Sequence, residues 1–292
     1  MSVFSSSVPS ALPSPAIVAR LRAAGCVFAE DEVELLVSTA RTPAELAAMV
    51  ERRAAGEPLQ HVLGWAEFCG LRVVVEPGVF VPRPRTEFLI GRAAELARRV
   101  AGPPVLLDLC CGSGAAGAAL AVGLGEAELH AVDLDPAAVR CARRNLAAVP
   151  LPSGGALTGR VYQGDLYEPL PASLLGRVDI LIASPPYVPS SSIDLLPPEA
   201  RLHEPLMALD GGGDGLDVVR RVIAGAPRWL APGGHLLVET SERQAAATAE
   251  AVARAGLAAR VASSDELDAT AVIGTRPDPD RPSLPPHAAE PE

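Results

Sequence analysis

The run Val105-Leu106-Leu107-Asp108-Leu109-Cys110-Cys111-Gly112-Ser113-Gly114 decides how this chain folds. Its first five residues are apolar apart from one acid, the pattern of a strand buried on both faces. Small residues follow at once, and then Ala115 to Leu124, an Ala-rich stretch without charge that reads as a buried helix. Strand, tight turn and helix in this order aim the first N–H groups of the helix at whatever lies beyond the strand's C-terminal end. The spacing is D-x-x-x-G-x-G rather than G-x-G-x-x-G. A second acid, Asp133, closes the next apolar run, Glu128 to Val132, where a carboxylate can accept from both hydroxyls of a ribose. Asp108, Cys110, Cys111, Gly112, Ser113, Gly114, Asp133 and the adjoining Leu134 are therefore the candidate cofactor residues. A glycine pair alone serves a structural turn as readily as a ligand loop. Two strand-end acids beside it point to a ligand.

Outward from this loop, Arg160 to Gln163, Val178 to Ala183, His235 to Glu239 and Ala271 to Ile273 are further short apolar runs, most of them separated by Ala-rich helical stretches. The alternation predicts an α/β domain over 85–275, a parallel sheet with helices on both faces. Upstream, Ile17 to Gly25 and Glu30 to Thr39 carry apolar residues at helical spacing. Thr42-Pro43-Ala44-Glu45 reads as an N-cap, a first-turn proline and a capping-box acid. Residues 16–57 are expected to form a small helical domain that docks substrate. Over 58–84 the period shortens, with the β-like runs His61 to Phe68 and Leu71 to Val75 flanking Cys69-Gly70, so a β-hairpin linker is expected there. The Ser- and Pro-rich residues 1–15 are expected to be flexible, and 276–292, rich in Pro, Asp and Ala, to be disordered.

The 292 residues carry a net charge of -10 and are 49% hydrophobic, the composition of an ordinary globular protein with one or two cores. All 25 basic residues are arginine, so single arginines carry little weight as signals. The acidic balance speaks against holding nucleic acid through broad phosphate neutralisation. Five cysteines without a C-x-x-C pair signal neither a disulfide framework nor a metal site, and reduced thiols in the cytoplasm are the simplest reading. No apolar stretch reaches the roughly 18 residues of a membrane helix, so no membrane partner is expected.

A second motif lies where Val178 to Ala183, a buried strand, runs into Ser184-Pro185-Pro186-Tyr187. Two prolines fix φ and cannot continue a sheet, so the backbone leaves the strand stiffly. By itself this is equally a plain proline turn beside an ordinary tyrosine. With the strand-end loop upstream, however, the chain resembles the class I S-adenosylmethionine-dependent methyltransferases, whose first motif is an acid followed by alternating glycines; Cys110 stands where that family has its first glycine. Asp165 and Leu166, after the third strand, fall where the superfamily lines its adenine. The tetrapeptide resembles the (Asn/Asp/Ser)-Pro-Pro-(Tyr/Phe) motif of enzymes that methylate planar amino nitrogens. Such a nitrogen is a poor nucleophile because its lone pair is delocalised, so the site must accept hydrogen bonds from its N–H groups. The Ser184 hydroxyl and the Pro185 carbonyl are the acceptors this resemblance implies, with Pro186 stiffening the turn and Tyr187 stacking on the planar group.

Over about Pro58 to Gly274 the sequence is similar to the protein-(glutamine-N5) methyltransferases that modify peptide chain release factors. The resemblance rests on Leu63-Gly64-Trp65-Ala66-Glu67-Phe68, on Val81-Pro82-Arg83-Pro84-Arg85-Thr86-Glu87, on Ala200-Arg201-Leu202-His203-Glu204-Pro205, on Ala208-Leu209-Asp210-Gly211-Gly212 and on Pro232-Gly233-Gly234 before a fifth strand. It implies a Rossmann-like sheet with an N-terminal helical domain joined by a hairpin. It also implies S-adenosylmethionine as cofactor, a release factor as partner, and Arg83, Pro84, Glu87, Ser184, Tyr187, His203 and Glu204 as substrate contacts. Two positions depart from that pattern: Ser184 replaces an asparagine and Arg85 an acid. A Ser-Pro-Pro-Tyr tetrapeptide also occurs in cytosine-amino enzymes, so an N4-cytosine or N6-adenine nucleic-acid methyltransferase stays open as an alternative, as does a non-catalytic methyltransferase-like binding module.

Overall fold

The computed structural model describes residues 15–149 and 159–279. Residues 1–14, expected to be flexible, and 280–292, part of the stretch expected to be disordered, lie outside the described residues. The chain opens with four helices, α1 (Pro15–Ala23), α2 (Ala29–Thr39), α3 (Pro43–Ala54) and the single-turn α4 (Leu59–Leu63). The start of α3 obeys its sequence: the Thr42 hydroxyl accepts from the Glu45 N–H at 3.1 Å, and the Glu45 carboxylate accepts from the Arg41 N–H at 2.8 Å. Leu21, Val33, Leu36, Met49, Val50 and Val62 fill a core of their own between these helices. One buried ion pair lies among these helices. Arg53 donates to both oxygens of Glu32, at 2.6 and 3.0 Å, and reaches out to Glu199 at 3.1 Å.

Gly64, at φ +79°, ends α4 and turns the chain into the hairpin of β1 (Trp65–Phe68) and β2 (Leu71–Val74), paired from Trp65–Val74 to Phe68–Leu71. The two turn residues, Cys69 and Gly70, both have positive φ, 48° and 71°, as a two-residue type I′ turn requires. There follow α5 (Thr86–Ala97), β3 (Val105–Leu109), α6 (Ala115–Leu124), β4 (Glu128–Asp133), α7 (Pro136–Ala148), β5 (Gly159–Gln163), β6 (Val178–Ala183), α8 (Pro198–His203), α9 (Asp217–Trp229), β7 (Leu230–Thr240), α10 (Glu242–Arg254), β8 (Ala258–Ser264) and β9 (Ala269–Thr275).

The seven strands of the second sheet run in the order β5-β4-β3-β6-β7-β9-β8. Alternate residues of its central strands feed opposite faces. Leu106, Ile180, Ile182 and Leu237 pack into one core with the hairpin and α5, whereas Leu107, Leu109, Leu181 and Val238 pack into another with α9. The sheet is not wholly parallel, as the sequence reading had it: β9 lies antiparallel to β7, and β8 antiparallel to β9. The sequence hides β8 because it is an edge strand, Ala-Ala-Arg-Val-Ala-Ser-Ser, exposed along most of its length. Arg276, assigned to the disordered tail, is held: its N–H donates to Gly234 at 2.9 Å and its carbonyl accepts from Gly233 at 3.1 Å. Among the described residues no helix is long and apolar enough to cross a membrane.

Candidate active site

Strand order reverses at β3, whose neighbours are β4 on one side and β6 on the other. Ligands of open α/β sheets bind beyond the carboxyl ends of the strands at such a switch point. The loop after β3 is built for it. Cys110, Gly112 and Gly114 all have positive φ, at 57°, 54° and 75°. At Cys110, where the resemblance has glycine, a side chain in the left-handed region costs about 1–2 kcal/mol. The bonds from the Cys111 N–H to Val132 (3.1 Å) and from the Gly114 N–H to Cys111 (2.7 Å) hold the turn in spite of that.

Asp133 ties this loop to the next one: one carboxylate oxygen accepts from the Gly112 N–H at 2.8 Å and the other from the Asp135 N–H at 2.9 Å. These backbone bonds leave part of its lone-pair capacity for a ligand. Asp108 plays another part. It is 2% exposed and accepts from the Gly117 N–H at 2.9 Å, clamping α6 onto β3. Burial, with a smaller push from Asp133, raises its carboxyl to about 7. Gly114 faces away from the ligand space, where a Cβ would lie 2.9 Å from the Cβ of Ala142, so its glycine serves the packing of α7 against the loop.

One cavity collects residues from the ends of four parallel strands. Cys110, Cys111, Gly112 and Ser113 follow β3; Asp133 and Leu134 follow β4; Asp165 and Leu166 follow β5; Ser184 and Pro186 follow β6. Asp108 also lines it, from within β3. Arg221 holds Asp165 at 2.7 Å, and Phe80, Pro82 and Arg83 of the linker close the other side. Carboxylates for hydroxyls, an exposed Leu134 beside Leu166 for a planar base, and N–H groups at the start of α6 fit a nucleoside-bearing cofactor.

A second cavity meets the first at Phe80, Arg83, Ser184 and Ala208, which line both. It is walled further by Pro185, Tyr187, Arg85, Glu204 and Glu239. The reacting tetrapeptide is held through its backbone. Gly211 passes so close that a Cβ there would lie 2.7 Å from the Pro186 carbonyl oxygen, and one at Gly215 would lie 2.3 Å from that of Tyr187. The Val188 N–H donates to Leu209 at 3.0 Å, the Gly211 N–H to Val188 at 2.8 Å, and the Gln244 amide to the Tyr187 carbonyl at 2.9 Å. Among the described residues the Pro185 carbonyl accepts no hydrogen bond.

The other expected substrate contacts separate. Arg83 and Glu204 reach the second cavity. Pro84, Glu87 and His203 line neither. Pro84 accepts from the Glu87 N–H in the turn that starts α5, and the Glu87 carboxylate accepts from the Cys69 N–H at 2.9 Å, bracing the hairpin turn. His203 ends α8 close enough to Glu57 and His61 to act on both electrostatically. Two residues central to the site escaped the sequence reading. Asn145 in α7 joins hairpin to loop: its amide oxygen accepts from the Val74 N–H at 2.8 Å, and its NH₂ donates to Val74 at 2.8 Å and Ser113 at 2.9 Å. Glu239, 4% exposed at the end of β7, accepts from Thr86 at 2.7 Å and from Ser184 and Tyr187 at 3.2 Å each. The one available signal for Glu239 was a lone acid closing an apolar strand run.

The sheet order and the strand-end loop define a class I methyltransferase, a class that uses S-adenosylmethionine. The methyltransferase small domain family model matches residues 71–214. The release factor glutamine methyltransferase of Geobacter sulfurreducens is 39% identical over 80% of this chain and 79% of its own length. That of Streptomyces coelicolor is 42% identical over 67% of each chain. This chain belongs to the release factor glutamine methyltransferase family. A methyltransferase structure from Pyrococcus furiosus, 18% identical, superposes with a TM-score of 0.51 over 71% of this chain and 90% of its own, which bears on the fold alone.

Proposed function

We propose that this chain transfers a methyl group to the N5 nitrogen of a glutamine side chain in a peptide chain release factor. The observation that carries the reading is the placement of Ser184, which lines both cavities at their junction, with Pro185 and Tyr187 on the side away from the cofactor loop. Family membership supports the glutamine and the release factor as substrate.

The cofactor, when bound, would supply an electrophilic methyl group, and the amide nitrogen that takes it would give up one of its two protons to solvent. The chain's residues do the rest. Asp133 would hold ribose hydroxyls, while Leu134 and Leu166 would flank the base. In the second cavity the target amide donates one N–H to the Ser184 oxygen and the other to the Pro185 carbonyl, which fixes its plane and keeps its nitrogen facing the first cavity. Tyr187 packs against the amide plane. Burial, then the charge of Glu239, holds its phenol well above the ordinary range, so the ring serves as a neutral surface and not as a base.

The helical unit and the rim of the second cavity would receive the protein. Pro58 and Gln60, where α3 gives way to α4, line that cavity, and Leu195, Leu202 and Leu206 stand exposed nearby at 82%, 67% and 58%. The cytoplasm is the compartment we propose, in keeping with five free cysteines. Incubating the chain with labelled S-adenosylmethionine and, separately, a release factor, a cytosine-containing oligonucleotide and a small amide tests the reading. Label on the release-factor glutamine is expected. Label on the oligonucleotide alone, or on none of the three, would overturn it.

A further inference from the structure

We infer that Glu239 is a positioning residue that makes the Ser184 hydroxyl a pure hydrogen-bond acceptor toward the target amide; the inference rests on the reading just given. Four donors converge on this one buried carboxylate. Its Oε2 lies 2.7 Å from Thr86 Oγ1 and 3.2 Å from Ser184 Oγ, and its Oε1 lies 3.2 Å from the Tyr187 hydroxyl and 3.3 Å from Arg85 Nε. A carboxylate only accepts, so the single proton of Ser184 is spent on Glu239. The two lone pairs of Ser184 are then left for the junction of the cavities.

The consequence concerns the nitrogen that must react. A free serine hydroxyl rotates, and one of its rotamers would donate a proton to the amide nitrogen, occupying the electron pair that has to form the new bond. Another would donate to water. Glu239 excludes both rotamers. A side chain whose acceptor bears no proton would not need such a partner; a serine does. The two positions that depart from the family pattern, Ser184 and Arg85, therefore meet at the same carboxylate, and the guanidinium offsets the charge that burial would otherwise leave uncompensated.

Methyl transfer to a release factor by the full chain, with kcat, KM and cofactor affinity measured separately, tests this in four proteins: wild type, Glu239→Gln, Ser184→Ala and the double variant. Glu239→Gln should lower kcat roughly tenfold to a hundredfold while cofactor affinity stays within about twofold. In the Ser184→Ala background the same substitution should change kcat by less than about threefold, because the hydroxyl it orients is gone. Glu239→Asp, which withdraws the carboxylate by one methylene and keeps the charge for Arg85, should behave like Glu239→Gln and serves if the glutamine variant does not fold. Losses that multiply in the double variant would assign Glu239 a purely structural role and overturn the inference, as would wild-type kcat in either folded variant. A wild-type chain that leaves the release factor unmethylated overturns the substrate reading and this inference together.

Discussion

Glu204 reaches back over 121 residues of chain to pair with Arg83, and its other oxygen accepts from the Val81 N–H at 3.1 Å. The linker that closes both cavities is thus fastened by hydrogen bonds to the segment after the reacting motif. Burial raises the Glu204 carboxyl, opposed by Arg83 and by the Val81 N–H. Glu204→Ala leaves a buried N–H and a half-buried guanidinium without their acceptor, which should cost about 2–4 kcal/mol in denaturant unfolding. Glu204→Gln keeps an acceptor for Val81 and should cost markedly less. Equal losses would mean that the charge, not the backbone contact, holds the linker.

Asp133→Ala should weaken S-adenosylmethionine binding by about 1.5–3 kcal/mol, measured by calorimetry, since it removes hydrogen bonds to a charged acceptor. The Ala variant also frees the Gly112 and Asp135 N–H groups, so Asp133→Asn is the sharper probe. It can keep one backbone bond while losing the charge. Unchanged affinity in both variants would remove Asp133 from the cofactor site.

The strand-end loop and the fourth strand with its proline exit were legible because their patterns are local: an apolar run, then small or rigid residues. The helical unit was legible from apolar spacing and from the Thr42 cap. Asn145 and Glu239 were not, because each works through contacts with distant segments that no spacing announces. Glu87 shows the converse: its motif is local, but its carboxylate turns to the Cys69 N–H of the hairpin turn and lines neither cavity. The edge strand β8 was missed because only one of its long sides has a partner strand, which leaves it without an apolar signature.

Asp108 predicts a pH dependence. Its folded carboxyl titrates at about 7, against 3.8 for the free group, so between these values the folded state binds more protons than the unfolded one. The contribution of Asp108 to stability is therefore greatest at the acid end of this window and falls as pH rises toward 7. The whole effect is on the order of 4 kcal/mol for a shift of this size. Asp108→Asn retains an acceptor for the Gly117 N–H, so its stability should exceed that of the wild type at pH 8 and fall below or match it near pH 4. Chemical denaturation at both pH values decides this; parallel profiles for the two proteins would show that Asp108 does not titrate in the window.

Arg53 links the helical unit to the catalytic domain, with Glu32 on one side and Glu199 on the other. Arg53→Ala leaves Glu32 buried without a partner, a change that typically costs about 3–5 kcal/mol. The small core of α1–α4 should loosen first, seen as faster amide hydrogen exchange over residues 15–63. Cofactor affinity should hold, while KM for the protein substrate rises. An unchanged KM would separate the helical unit from substrate docking.

Tyr187 separates a stacking surface from a proton carrier. Its ring lines the second cavity, and its hydroxyl donates to Glu239 Oε1 at 3.2 Å. Because burial and the neighbouring carboxylate both push the phenol upward, it stays neutral at any working pH and cannot take a proton from the amide. Tyr187→Ala removes the surface that holds the amide plane and should lower kcat/KM roughly 10²-fold, the scale of a lost alignment. Tyr187→Phe keeps that surface and gives up one hydrogen bond of about 1 kcal/mol, so its loss should be about fivefold. The pH profile of Tyr187→Phe between 7 and 9 should follow that of the wild type. If phenylalanine proved as damaging as alanine, or removed a basic limb from the profile, the phenol oxygen and not the ring would carry the function.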